Sequence, residues 1–142
     1  MSHKLKSIIC AALVAVCLPV VSSAAKKAWT ISSPDGRVKA EIKADGKVSY
    51  SVTFDGKTVL APSEIAMKIG GGTVFGEGKV KGVKTGDVSE TIPAVAYKKS
   101  LVDNVYKWLT LEYKDYSIEF RAYDNGVAYR FVSTAKKGSL EV

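Results

Sequence analysis

Apolar and polar residues alternate along most of this chain, and that period constrains the fold more than any other feature. Val38, Ala40 and Ile42 alternate with Lys39, Glu41 and Lys43, and Val48, Tyr50, Val52 and Phe54 alternate with Ser49, Ser51 and Thr53. Successive side chains on a strand point to opposite faces, so a period of two makes half-buried strands, whereas a helix repeats every three to four residues. No convincing amphipathic helix appears from Ala28 onward, and Gly and Asp-Gly turns punctuate the pattern. The expected fold is all-β, an antiparallel β-sandwich.

The turns suggest registers. A three-residue loop at 44–46 would pair Ile42 with Val48, Ala40 with Tyr50 and Val38 with Val52, with Gly46 left-handed in a bulge and all apolar side chains on one face. A two-residue Asp45-Gly46 loop would mix the faces. The Asp55-Gly56 pair fits a two-residue loop that sets Val52 against Val59. Residues 37–60 thus read as a three-stranded meander, ended by Ala61-Pro62-Ser63. A short strand is expected at 65–69, then a glycine-rich connection at 70–86. Alternation resumes at 94–97 and 104–112, the latter with large residues on both faces. It breaks off at residues 138–142 in mid-pattern, which reads as a fragment.

Residues 1–25 form a secretory leader. Lys4 and Lys6 precede an apolar run at 7–21, and Ser22, Ser23, Ala24 and Ala25 suit cleavage after Ala24 or Ala25. About 15 apolar residues fall short of the roughly 20 that span a bilayer, so no stable membrane span is expected. Ile9 and Val16 precede the two cysteines where a lipoprotein signal would have a small residue. The expected location is secreted or periplasmic.

Removing the leader changes the chemistry. Cys10, Cys17 and His3 all lie within it, so the 142 residues less 25 leave 117 without Cys or His. Disulfides, thiolate nucleophiles, zinc sites and histidine triads are excluded for that portion. About 117 residues suffice to bury a core. The formal charge of +7 loses Lys4 and Lys6, leaving 19 basic against 14 acidic residues, or +5. The lysines are scattered along strands among acids, which fits solvated faces and not a nucleic-acid groove.

The glycine-rich stretch does not make a phosphate loop. Thr73 stands five places before Gly78 where a glycine is needed, and Val80 follows Lys79 where Ser or Thr is needed. Fourteen carboxylates leave room for a glycosidase pair, but Asp35, Asp45, Asp55 and Asp124 sit in turns, and Glu41 and Glu119 alternate on strands beside basic residues. The aromatics, among them Trp29, Tyr50, Tyr106, Trp108 and Tyr129, favour core packing over a sugar-stacking platform. No residue is assigned to catalysis, to a cofactor or to a metal.

The most patterned stretch is a hairpin, "YSIEFRAYDNGVAYRFV", at 116–132. A two-residue Asn125-Gly126 loop pairs Phe120 with Phe131 and sets Arg121 across from Arg130. A three-residue loop at 124–126 would split the phenylalanines, so the first register is expected. Facing arginines then require carboxylate partners, Glu119 or acids from elsewhere. Arg121 and Arg130 are the candidate structural or docking pair.

"WTISSPDGR" at 29–37, "YSVTFDGKTVLAPSEIAM" at 50–67 and above all "EFRAYDNGVAYRF" at 119–131 resemble, in order, the N-terminal region of family 97 glycoside hydrolases. The resemblance covers essentially all of residues 26–142. It implies a supersandwich-like N-terminal β-domain, incomplete here, that packs on a catalytic (β/α)-barrel of the same protein and shapes the substrate cleft. It implies a secreted or periplasmic enzyme cleaving α-glucosides or α-galactosides of oligo- or polysaccharides, with calcium near its site. None of the family's catalytic or calcium-binding residues maps onto this stretch. The alternative is a free-standing carbohydrate-binding or structural β-module of the envelope.

Overall fold

The computed structural model describes residues 27–69, 72–93 and 100–134. The expected leader at 1–25, the expected strand at 94–97 and the chain end at 138–142 lie outside these residues. Among the described residues ten strands form: β1 (Ala28–Ser32), β2 (Val38–Asp45), β3 (Lys47–Phe54), β4 (Lys57–Ile65), β5 (Met67–Lys68), β6 (Val74–Phe75), β7 (Gly82–Pro93), β8 (Leu101–Glu112), β9 (Tyr116–Tyr123) and β10 (Gly126–Ser133). They make two four-stranded sheets, ordered β1-β2-β3-β4 and β10-β9-β8-β7, and a small β5-β6 pair, with every pairing antiparallel. The all-β sandwich read from the alternation is the fold.

The two sheets pack face to face, β1 against β8 and β9, and β2 against β9 and β10. Along β2 burial alternates at every residue, with Val38, Ala40, Ile42 and Ala44 inward. On the opposing sheet Leu109, Leu111, Ile118, Phe120 and Ala122 point inward. Burying a side chain such as Ile42 or Phe120 contributes about 1.5–3 kcal/mol, which is how a domain without disulfides holds together. Phe75 stacks on Tyr116 at 4.3 Å between ring centroids, and Tyr116 stacks on Tyr113 at 4.4 Å.

The first hairpin differs from the expected register. Ile42 pairs with Tyr50, Ala40 with Val52 and Ala44 with Val48. Gly46 is left-handed as expected (φ 80°), but it stands alone between Asp45 and Lys47, which pair. The observed pairing keeps Ala44 on the buried face, 7% exposed, where the expected loop would have surrendered it.

At the second turn Asp55 and Gly56 both have positive φ (48° and 77°), the two-residue form expected. Beyond it the ladder slips: Val52 meets Leu60 and not Val59, which bulges outward at 69% exposure. A bulge leaves one residue unpaired and returns the strand to the core face. The meander also does not end at Ala61-Pro62-Ser63, because β4 continues to Ile65 against Val48, and β1 adds a fourth strand at the other edge. The glycine-rich connection holds β6 and the first residues of β7, so it is shorter than the sequence suggests.

Turns at one end of the sandwich are tied together. Ser33 is fully buried, and its hydroxyl accepts from Val38 N–H at 3.0 Å and donates to Asp35. Asp35 N–H donates to Asp124 Oδ1 at 3.0 Å, joining the β1–β2 turn to the β9–β10 turn of the other sheet. Arg37 grips Asp55 through Nε and Nη2 (3.0 and 2.7 Å) and lies over the Phe54 ring.

Candidate functional site

β9 alternates strictly, with Tyr116, Ile118, Phe120 and Ala122 inward. Ser117, Glu119, Arg121 and Tyr123 therefore share its outer face. Tyr106, Trp108, Thr110 and Glu112 on β8 join that face through the ladder, as Trp108 pairs with Arg121 and Thr110 with Glu119. β7 contributes Lys84, opposite Thr110, and Gly86, opposite Trp108. The outer face of the second sheet thus collects aromatic rings and alternating charges.

The β9–β10 hairpin places the two arginines on this face, but not across from one another. Its loop is Asp124-Asn125, with Gly126 already paired to Tyr123. Arg121 stands across from Ala128, Arg130 from Glu119, Tyr129 from Phe120 and Phe131 from Ile118. The expected Phe120–Phe131 and Arg121–Arg130 pairs do not form. Two causes are visible: Asp124 is held in the turn by Asp35, and this register opposes unlike charges instead of like ones.

Glu119 bonds Arg121 Nε through Oε1 at 2.5 Å and Arg130 Nη2 through Oε2 at 2.9 Å. Its side chain is 18% exposed, against 28% for Arg121 and 60% for Arg130. Burial pushes the Glu119 carboxyl up, but hydrogen bonds from Arg130 and Arg121 outweigh it and hold the group below the usual glutamate range. A carboxylate so held stays ionised and is a poor proton donor. Arg121 also lies over the Tyr106 ring, 4.7 Å from its centroid. Bonds to Tyr123 and Glu119 push its guanidinium still higher, so it stays charged throughout.

Two shallow recesses flank this cluster. One of about 160 Å³ lies along the β10 edge among Glu119, Arg121, Tyr129 and Arg130. The other, about 340 Å³, lies between Trp108, Tyr106, Glu119, Arg121 and the Lys84–Glu112 ion pair. Arg121 and Arg130 were legible from the sequence, whereas the Trp108–Gly86 opposition was not, because it depends on the pairing of β7, read as a glycine connection. Among the described residues no group of three or more His, Cys, Asp or Glu comes together to hold a metal ion.

A family model described as the glycosyl-hydrolase 97 N-terminal domain matches residues 31–142. The chain belongs to glycoside hydrolase family 97. It is 43% identical over 122 residues to a retaining alpha-galactosidase of Bacteroides thetaiotaomicron, covering 84% of this chain and 18% of that protein. Its fold is similar to a family 97 enzyme of Pseudoalteromonas sp. strain K8 solved in complex with acarbose, with TM-score 0.62 and 26% identity over 72% of this chain and 17% of that one. A beta-arabinopyranosidase structure is similar too, with TM-score 0.64 and 25% identity over 72% of this chain and 18% of that one. The chain therefore spans less than a fifth of the length of these relatives.

Proposed function

We propose that this chain is the non-catalytic N-terminal domain of an exported family 97 glycoside hydrolase that cleaves α-glucosidic or α-galactosidic bonds. The match of residues 31–142 to the family's N-terminal domain carries the reading, and the relative named a retaining alpha-galactosidase supports the bond class. The half-buried carboxylate of the outer face fits the non-catalytic role, since Glu119 is committed to two guanidiniums. Catalysis, and the calcium that the family resemblance implies, belong on this reading to a barrel elsewhere in the polypeptide. The described residues offer no cluster of three or more carboxylates for such an ion.

The domain would meet that barrel along β10. Among the described residues β10 stands at the edge of its sheet, with an apolar sequence carrying a single charge and Tyr129 41% exposed beside Arg130. Natural edges of this kind are covered or paired, and Arg130, the more exposed arginine, is the one available to a carboxylate of the barrel. Export would follow from the leader at 1–25, with release into the periplasm or medium.

The test is an assay with nitrophenyl α-galactoside and α-glucoside. No turnover is expected from the 142-residue chain, and turnover is expected from a longer product of the same reading frame. Hydrolysis by the 142-residue chain itself, abolished by a point substitution within it, would overturn the reading. A stop codon directly after Val142 in an intact gene would overturn it as well.

A further inference from the structure

We propose that the recess on the outer face of β7, β8 and β9 is a saccharide-binding site built on Trp108, taking a neutral α-linked oligosaccharide. The proposal deepens the α-glycosidase reading and rests on it for the linkage class. Its first support is the opposition of Trp108 and Gly86. A Cβ at position 86 would lie 2.7 Å from Cε2 and Cζ2 of Trp108 and 2.8 Å from its Nε1. The indole therefore occupies the space that any other residue at 86 would fill, resting on the β7 backbone. Gly86 does not have positive φ, so its use here is the room it gives to the ring.

The second support is what surrounds the ring. The recess holds about 340 Å³, at the lower end of the roughly 300–1,000 Å³ of small-ligand pockets. Trp108 and Tyr106 give it apolar surface, and Lys84, Glu112, Glu119 and Arg121 give it polar surface. Each carboxylate already has a cation, Glu112 with Lys84 at 2.6 Å and Glu119 with its two arginines. Within the lining Lys84 and Arg121 balance Glu112 and Glu119, so the recess carries no net charge that would favour an anionic or a cationic ligand. Sugar hydroxyls both donate and accept, so they can use the lone pairs and N–H groups left over, while a pyranose face covers the indole. The side chains project from adjacent strands of one sheet, which holds their spacing fixed.

The chain has two tryptophans, Trp29 and Trp108. Trp29→Phe, a conservative change at a partly buried position, makes Trp108 the sole indole reporter. Titrating that variant with maltoheptaose and with an α-linked galactotriose should shift its fluorescence saturably. Gly86→Ala in the same background should weaken the affinity by about tenfold while leaving the β-sheet circular dichroism intact. Trp108→Ala should abolish retardation of the chain in gels containing soluble starch or an α-galactan, and Trp108→Tyr should restore part of it. No saturable response to either saccharide would overturn the site. So would an equal response to heparin as a charged probe. A loss of thermal stability on Trp108→Ala in a longer product, with no saccharide response in the 142-residue chain, would show the face to be covered by protein and would also overturn it. Hydrolysis by the longer product without binding here refutes the recess alone, whereas binding without hydrolysis refutes the enzyme reading alone.

Discussion

Arg130 stands directly across the β9–β10 ladder from Glu119, its Nη2 2.9 Å from Oε2. Arg121, two residues along β9, bonds the other carboxylate oxygen. One acid thus answers two guanidiniums that share a sheet face, and removing it takes away the ion-pair partner that both have among the described residues. Glu119→Gln is expected to lower stability by about 1.5–3 kcal/mol, the range for hydrogen bonds to charged groups. Urea denaturation should show a lower midpoint with an unchanged slope.

The same pair sets a pH dependence. The folded-state pKa of Glu119 lies below its usual value of 4.5. Its contribution is therefore fully present above about pH 4.5 and is lost as pH falls through the depressed folded value. Midpoints measured between neutral pH and pH 3 should fall for the wild type. In Glu119→Gln the acid limb should be shallower; an identical acid limb in both would disprove the linkage.

The two arginines should not be equivalent. Arg121→Ala removes a half-buried bond to Glu119 and the contact over Tyr106, so a loss of about 1–2 kcal/mol is expected. Arg130→Ala removes a bond from a side chain 60% exposed, and surface pairs contribute roughly 0–1 kcal/mol. A double-mutant cycle through Glu119 measures both couplings, and a larger coupling for Arg130 would contradict the burial order.

Gly76 has φ 97°, and a Cβ there would lie 2.2 Å from the Ile65 carbonyl oxygen and 3.1 Å from Ala66 Cα. Both are backbone atoms that cannot swing aside. Gly76→Ala is expected to cost about 3 kcal/mol or more, adding collision to left-handed strain. Gly56 also has positive φ but meets nothing within 4 Å, so Gly56→Ala should cost only about 1–2 kcal/mol. Thermal melts of the two variants give the comparison.

Tyr113 and Tyr116 are stacked, yet their hydroxyls differ. Tyr116 accepts from Gly76 N–H at 3.2 Å and donates to the Glu77 carbonyl at 2.6 Å. The Tyr113 hydroxyl is buried with no hydrogen-bond partner among the described residues, and burial pushes its pKa well above the usual tyrosine range. A stranded buried hydroxyl costs about 1–3 kcal/mol. Tyr113→Phe should therefore be neutral or stabilising, and Tyr116→Phe destabilising by about 1–2 kcal/mol. Equal losses in chemical denaturation would contradict the assignment of partners.

How far the sequence reached is clearest at the two hairpins. The β2–β3 pairing expected Ile42 against Val48, and the structure sets it against Tyr50; the β9–β10 pairing expected Phe120 against Phe131, and the structure sets it against Tyr129. Both errors are shifts of two residues between partners. A one-residue slip would turn every side chain to the wrong face, but a shift of two leaves each side chain on its own face. The hydrophobic pattern therefore excludes the first error and is silent on the second. Bulges such as that at Val59 escape it for a related reason, since one unpaired residue resets the alternation.

By itself, then, the sequence determined the all-β class, the faces that the residues of β2, β3, β9 and β10 occupy, and the two-residue Asp55-Gly56 turn, because these follow from local backbone geometry. It also brought Glu119 within reach of both arginines on one face. Only the tertiary structure decided which residues stand across from one another, through contacts between distant segments. Asp35 holds the Asp124 turn across 89 residues, Ala44 is buried in the shared core, and Gly86 meets Trp108 across the β7–β8 ladder. Such contacts are set by packing in three dimensions, and no local period encodes them.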